Sequence, residues 1–196
     1  MIALIHTSRL SPANLVGVFC GRPLLEWAVL QARACAAVER IVVVSGDGSV
    51  TKLADGLGIE VFAPVQDDDG PAAAEAFAAS ESTESDILVL PAEMPLRRAQ
   101  DLQAAVDSLP VSGSGYVYSA VLLRGVRSSE EGKAGLAEGA KMPDAGLFYL
   151  LRGKCFENGF WTRAGTAVAV APWQSQMIGC REANRACACL FGELVR

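Results

Sequence analysis

Short apolar runs alternate with amphipathic stretches through the first 110 positions of this chain. "IALI" (Ile2 to Ile5) reads as a strand. "PLLEWAVLQARACAAV" (Pro23 to Val38) reads as a helix, with Pro23 in its first turn, where the missing N–H costs nothing. "RIVVVSG" is a strand that runs into a glycine-rich turn, and "VTKLADGLG" is a short helix closed by glycine. "IEVFAP" is a third strand, "PAAAEAFAAS" a helix started by Pro71, and "DILVL" a fourth strand. "RAQDLQAAVDSL" is a helix that Pro110 should end. Four strand–helix units in succession predict a parallel sheet with right-handed crossovers. The unbroken apolar strands predict a sheet covered on both faces.

The pattern changes after Pro110. "GYVYSAVLL", "AGLFYLLRG" and "TAVAVAP" are strand candidates, and "REANRACACLFGEL" reads as a final helix. Between the first two strands, Gly125 to Asp144 is polar and glycine-rich, the composition of a loop or extended arm. No repeat and no second hydrophobic unit appears, so residues 1–196 read as one domain.

Composition narrows the function. Apolar residues make up 51% of the chain, enough to build a core. Seventeen basic residues against 22 acidic ones give a net charge of −5, which argues against a nucleic-acid binder. No run of eighteen apolar residues predicts a membrane span, and the N-terminus lacks the pattern of a signal peptide, so a cytoplasmic protein is expected. The six cysteines show no C-x-x-C spacing and read as free thiols rather than a zinc site.

In an open α/β sheet, ligands gather beyond the carboxyl ends of the strands. Three polar segments fall there: "HTSRLSPAN", "PVQDDDG" and "PAEMP". The last places a carboxylate, Glu93, directly after an apolar strand. It either caps the next element or meets a ligand. The other candidates also have two readings. His6, the only histidine, suits a structural place at a strand end as well as a ligand contact. Arg9 pairs either with a surface carboxylate or with an anion. Asp67, Asp68 and Asp69 form either a solvated turn before Pro71 or a substrate or metal contact. Asp47 reads as a turn residue. Phe148, Tyr149, Phe156, Phe160 and Trp161 read as core or dimer interface.

Two stretches resemble the sugar-nucleotide cytidylyltransferases, the family of the acylneuraminate and 3-deoxy-manno-octulosonate enzymes and the related spore-coat polysaccharide proteins. "HTSRLSPANLVGVFCGRPLLEW" (His6 to Trp27) resembles the family's S-x-R-L-P-G-K loop and G-K-P-L-L helix start. "LVLPAEMPLR" resembles the strand that ends in D-x-P-L or T-S-P-L-R. The resemblance implies a three-layer Rossmann-like nucleotidyltransferase fold with a mostly parallel central sheet. It implies that a sugar oxygen attacks the α-phosphate of CTP or another nucleotide and that pyrophosphate leaves. It places His6, Thr7, Ser8 and Arg9 at the nucleotide, Arg9 and Glu93 in catalysis and Glu93 on Mg²⁺, with an acidic sugar as acceptor, for which Asp67 to Asp69 are the candidate contact. It also implies a homodimer with an arm from residues 125–144. The chain departs from the family at three points. Ala13 or Asn14 stands where the loop lysine would be, Ala63-Pro64 replaces an Arg-Pro, and "MIGCREAN" carries no aspartate where a second metal motif belongs. The departures set a second expectation beside the first: a relative that binds nucleotide or a protein partner without turnover.

Overall fold

A computed structural model describes residues 1–6, 12–63, 70–81, 85–112, 115–121, 144–153, 165–178 and 181–194. The expected run of parallel strands is present. Strands β1 (Ile2–His6), β4 (Arg40–Val44), β5 (Glu60–Phe62) and β6 (Ile87–Pro91) lie side by side in the order β5-β4-β1-β6, every pair parallel. The sheet continues through β8 (Asp144–Leu151), β7 (Tyr116–Val121) and β9 (Thr166–Val170). Among the described strands of this sheet, β8 alone runs against its neighbours, wedged between β6 and β7, while β7 and β9 pair in parallel. The chain thus has an α/β fold built on a mostly parallel sheet.

Side chains alternate across the sheet, as the two-residue period of a strand demands. Ala3 and Ile5 of β1 face one core with helices α2 (Leu24–Arg33), α3 (Gly48–Gly56), α5 (Ala99–Ser112) and α6 (Arg181–Leu194). Ile2 and Leu4 face the other, packed against α4 (Gly70–Glu81) through Ala74, Phe77 and Ala78. Phe77 meets the edge of the Phe62 ring at 5.4 Å between centroids. Phe148 belongs to the first core, as the sequence suggested; Phe156, Phe160 and Trp161 lie outside the described residues, as does most of the expected arm.

Three elements differ from expectation, each for a physical reason. Helix α2 ends at Arg33, although an alanine-rich stretch follows it. The chain must turn there to bring Glu39 back to β1, where its amide donates to the Met1 carbonyl at 3.0 Å. Helix α5 passes through Pro110 to Ser112. The ring removes only one helix bond, the one to the Val106 carbonyl, and the last turn is held from outside by the Arg152 guanidinium, which donates to the Leu109 carbonyl at 2.6 Å. The stretch between His6 and Pro23 is not only loop. It holds α1 (Pro12–Val16) and a small hairpin of β2 (Val18–Phe19) and β3 (Arg22–Pro23). Its two-residue turn puts both Cys20 (φ 48°) and Gly21 (φ 87°) in the left-handed region, the conformation such a tight hairpin needs. Among the described residues no helix is long and apolar enough to cross a membrane.

Candidate functional site

The carboxyl ends of β1, β4 and β6 come together at one edge of the sheet. His6 closes β1 between Val44 of β4 and Pro91 of β6, and it is 2% exposed. The next link is made by Ala92, whose amide donates to the His6 carbonyl at 3.1 Å. Glu93 follows, fully enclosed at 0% exposure. His6 and the Glu93 turn are therefore brought together, as the strand order required. Thr7, Ser8, Arg9, Asp67, Asp68 and Asp69 lie outside the described residues.

The turn after β6 is built around Arg97, the last residue of "LVLPAEMPLR", for which the apolar pattern alone suggests no role. The antiparallel ladder of β6 and β8 pairs Ile87 with Leu151 and Val89 with Tyr149. Extending that register by two residues sets Pro91 opposite Leu147. Proline has no N–H to give, so the ladder cannot continue through it. Arg97 takes over. Its Nη1 donates to the Leu147 carbonyl at 2.7 Å, and its Nη2 donates to the Pro91 carbonyl at 2.8 Å and to the Met94 carbonyl at 3.3 Å. The fork of a guanidinium suits this bridge between two facing carbonyls.

Gln31 of α2 completes the arrangement. Its Oε1 accepts from Arg97 Nε at 3.2 Å, while its Nε2 donates to the carbonyls of Pro95 at 2.7 Å and Arg97 at 3.1 Å. Arg97 is 3% exposed. Burial pushes its guanidinium below the ordinary arginine value, to about 9, and the negative charge of Glu93 acts against that shift. The two side chains are buried four residues apart in one turn, close enough for the charge of one to act on the other. The signal for this role was present in the sequence: a proline at the end of a strand with an arginine six residues on.

The segment after β9 grips the same turn from another side. Ile178 donates its amide to the Glu93 carbonyl at 3.0 Å. Gln174 lies in a 3-10 turn (Pro172–Ser175), and its side-chain amide donates to Asp101 of α5 at 2.5 Å. Asp101 also accepts from Arg98 at 2.8 and 3.0 Å.

Beside this turn, β4 leads into Ser45 and then into Asp47, read from the sequence as a turn residue. Asp47 caps α3, accepting from the amides of Ser49 at 2.8 Å and Val50 at 3.2 Å. The first positive end of that helix is therefore satisfied by the chain itself.

Glu93 offers the hard oxygen donors that Mg²⁺ takes, but this ion requires near-octahedral oxygen ligation and retains several waters. Glu93 is enclosed, and the charge beside it is a guanidinium. Among the described residues no three of His, Cys, Asp and Glu gather closely enough to hold a metal. The described residues by themselves do not fit a Mg²⁺ ion.

A cleft of about 410 Å³ lies at the opposite edge of the sheet, between Arg33, Arg40, Gly58 and Glu60. Its charges serve one another: Arg40 pairs with Glu60 at 2.6 Å and Glu81 at 2.9 Å, and Arg33 donates to the Leu57 carbonyl. The strand ends near Glu93, rather than this cleft, form the edge where an α/β sheet receives ligands.

Comparison with known proteins identifies the family and the fold. Residues 8–127, more than half of the chain, match the sequence profile of the MobA-like NTP transferase domain. The structure of CMP:2-keto-3-deoxy-manno-octonic acid synthetase complexed with CTP superposes with a TM-score of 0.72 over 98% of both chains, at 13% identity. That of 4-diphosphocytidyl-2C-methyl-D-erythritol synthase superposes with a TM-score of 0.68 over 97% of this chain and 98% of the other, at 15% identity. At such identities the likeness is one of fold. No curated protein sequence matches the chain significantly.

Proposed function

Because the chain belongs to the family of MobA-like NTP transferase domains, we propose that it transfers a nucleotidyl group from CTP to an acidic sugar. In this reading the triphosphate lies across the carboxyl ends of β1 and β6. The segment from Thr7 to Arg9 meets its phosphates, and Asp67 to Asp69 meet the acceptor. An acceptor oxygen attacks the α-phosphorus, the bond to the bridging oxygen breaks, and pyrophosphate leaves.

The observation that carries the proposal is the contact between β1 and the Glu93 turn. It brings the end of β1, two residues before the family-matched segment begins, against the turn that carries a buried carboxylate. The choice of CTP is supported by the two structural neighbours, one of them complexed with CTP and the other named for a diphosphocytidyl product. The acidic sugar is supported by the name of the first.

A second reading has an observation of its own. Glu93 is enclosed with the charge of Arg97 acting on it, and by the family resemblance Ala13 or Asn14 stands where the loop lysine would be. Such a site favours binding over turnover.

One experiment separates the two. Pyrophosphate release is followed with each of the four NTPs, with and without Mg²⁺, across a panel of acidic sugars, and thermal shift reports binding in the same samples. Release that depends on CTP and on one acidic sugar supports the first reading. A thermal shift with a nucleotide but no release supports the second. Neither signal with any nucleotide would remove both.

A further inference from the structure

We propose that Arg97 is a positioning residue, which sets the place of the Glu93 turn against β1 by standing in for the ladder bonds that Pro91 cannot make. The inference starts from a gap in the sheet. β6 and β8 pair as far as Val89 and Tyr149, and two residues further along β6, opposite Leu147 in that register, stands a proline. Beyond it both backbones are released. On β8, the amides of Leu147 and Phe148 turn to the Ser119 hydroxyl at 2.9 and 3.4 Å, where the pairing of β7 with β8 shifts register. On β6, the chain leaves the strand and forms the turn that carries Glu93. With nothing between them, the two carbonyls of Pro91 and Leu147 would face each other unsatisfied in a dry interior.

The Arg97 guanidinium fills that place. It holds the start of the turn through Pro91, its middle through Met94, and the neighbouring strand through Leu147. Gln31 fixes the guanidinium from α2. Two backbone bonds then depend on where the turn sits: Ala92 to His6 at 3.1 Å and Ile178 to Glu93 at 3.0 Å. The first ties the turn to the strand from which the segment of residues 7–11 departs. The second ties it to the approach to α6. Lysine cannot replace this fork, because an ammonium is a point charge that cannot span two facing carbonyls in a plane.

For its catalytic consequence the inference rests on the nucleotidyl-transfer reading, so the test has one arm that does not. The first arm is amide hydrogen exchange in the wild type and in Arg97→Lys, well below either midpoint of unfolding. The amides of Ala92 and Ile178 should lose protection by about tenfold or more, while buried Val43 on β4, two strands away from β6, keeps its own. The second arm is steady-state kinetics, where kcat should fall more than KM rises, as expected when reacting groups are held slightly out of place. A lower midpoint with unchanged exchange at Ala92 and Ile178 would show that Arg97 only adds stability, and would overturn the proposal. If the wild type turns over no nucleotide, the proposed function fails and exchange alone decides Arg97. Should Arg97→Lys not fold, Gln31→Met removes the support of Nε from a half-buried position, and exchange at the same two amides decides the question.

Discussion

Gln174 and Asp101 stand 73 positions apart in sequence, yet their side chains meet at 2.5 Å in a place that solvent does not reach. The bond fastens the segment after β9 to the first turn of α5, just beyond the Glu93 turn. Gln174 also accepts the Ala171 amide at 2.8 Å, so both ends of its side chain are used. Leucine at this position would strand the Ala171 amide and leave Asp101 Oδ2 with Arg98 Nε but without its buried amide donor. Gln174→Leu is expected to cost about 1–3 kcal/mol, read by urea unfolding. Gln174→Glu should do worse near neutral pH, where two carboxylates would face each other, and should recover part of the loss as the solution is acidified. Equal stability of all three proteins would show that the bond contributes nothing.

Gly165 gives a second, purely steric prediction. It precedes β9, and a Cβ built on it would fall 2.3 Å from Cε2 and 2.4 Å from Cζ of the Tyr116 ring. Those distances are far inside van der Waals contact, so the ring or the strand must move. Gly165→Ala is expected to destabilise by about 1–3 kcal/mol. In a double-mutant cycle with Tyr116→Ala the two losses should not add, because the second substitution removes the obstacle that makes the first one costly. Simple additivity would contradict the contact.

These residues show how far the sequence could be read. The four parallel strands were legible because each is an apolar run bounded by turn residues, and α6 because its amphipathic stretch is long. The hairpin of β2 and β3 was not, since strands of two residues carry no period. Its trace was a glycine at position 21 with a left-handed φ that no local pattern announces. The edge that gathers His6 and Glu93 followed from strand order alone. What could not follow was the environment of Glu93. A helix-start pair such as Arg97-Arg98 reads as two solvated charges. The structure divides them: Arg98 stays partly exposed and reaches Asp101, while Arg97 turns inward. Only the register of β6 against β8, a long-range fact, makes Pro91 a gap that an arginine must fill.

Asp47 supplies a dependence on pH. The Ser49 hydroxyl, then the backbone amides of Val50 and Ser49, hold its carboxyl below the usual aspartate value. Its charged form is therefore favoured more by the folded chain than by the unfolded one. The stabilisation is complete above the unfolded value, about 3.9, and is lost as pH falls through the lower folded value. Asp47→Ala should lower the melting midpoint near neutral pH by about 2–4 °C, a typical loss for a helix cap in a chain of this size. The gap between the two proteins should narrow in acid. A gap that stays constant down to the acid limit would assign the effect to something other than the charged cap.

Glu93 bears the sharpest prediction, because its charge can be removed without changing its shape. In the wild type the carboxylate and the Arg97 guanidinium are buried together, and each offsets the other's cost of leaving water. Glu93→Gln keeps the volume but leaves the guanidinium without its counter-charge. In that variant burial acts on Arg97 unopposed, so its charged form is held less well than in the wild type. The expected loss is about 3–5 kcal/mol, the usual cost of breaking a buried pair by removing one partner. A second comparison tells this role from that of a metal ligand. If Glu93 serves Arg97, the midpoint of the nucleotide-free wild type is the same in Mg²⁺ and in a chelator, and Glu93→Gln melts lower in both. If it holds a resident ion, Mg²⁺ raises the wild-type midpoint by mass action and the substitution abolishes that rise. A fully stable Glu93→Gln would contradict the buried charge pair and leave the carboxylate to serve the nucleotide instead.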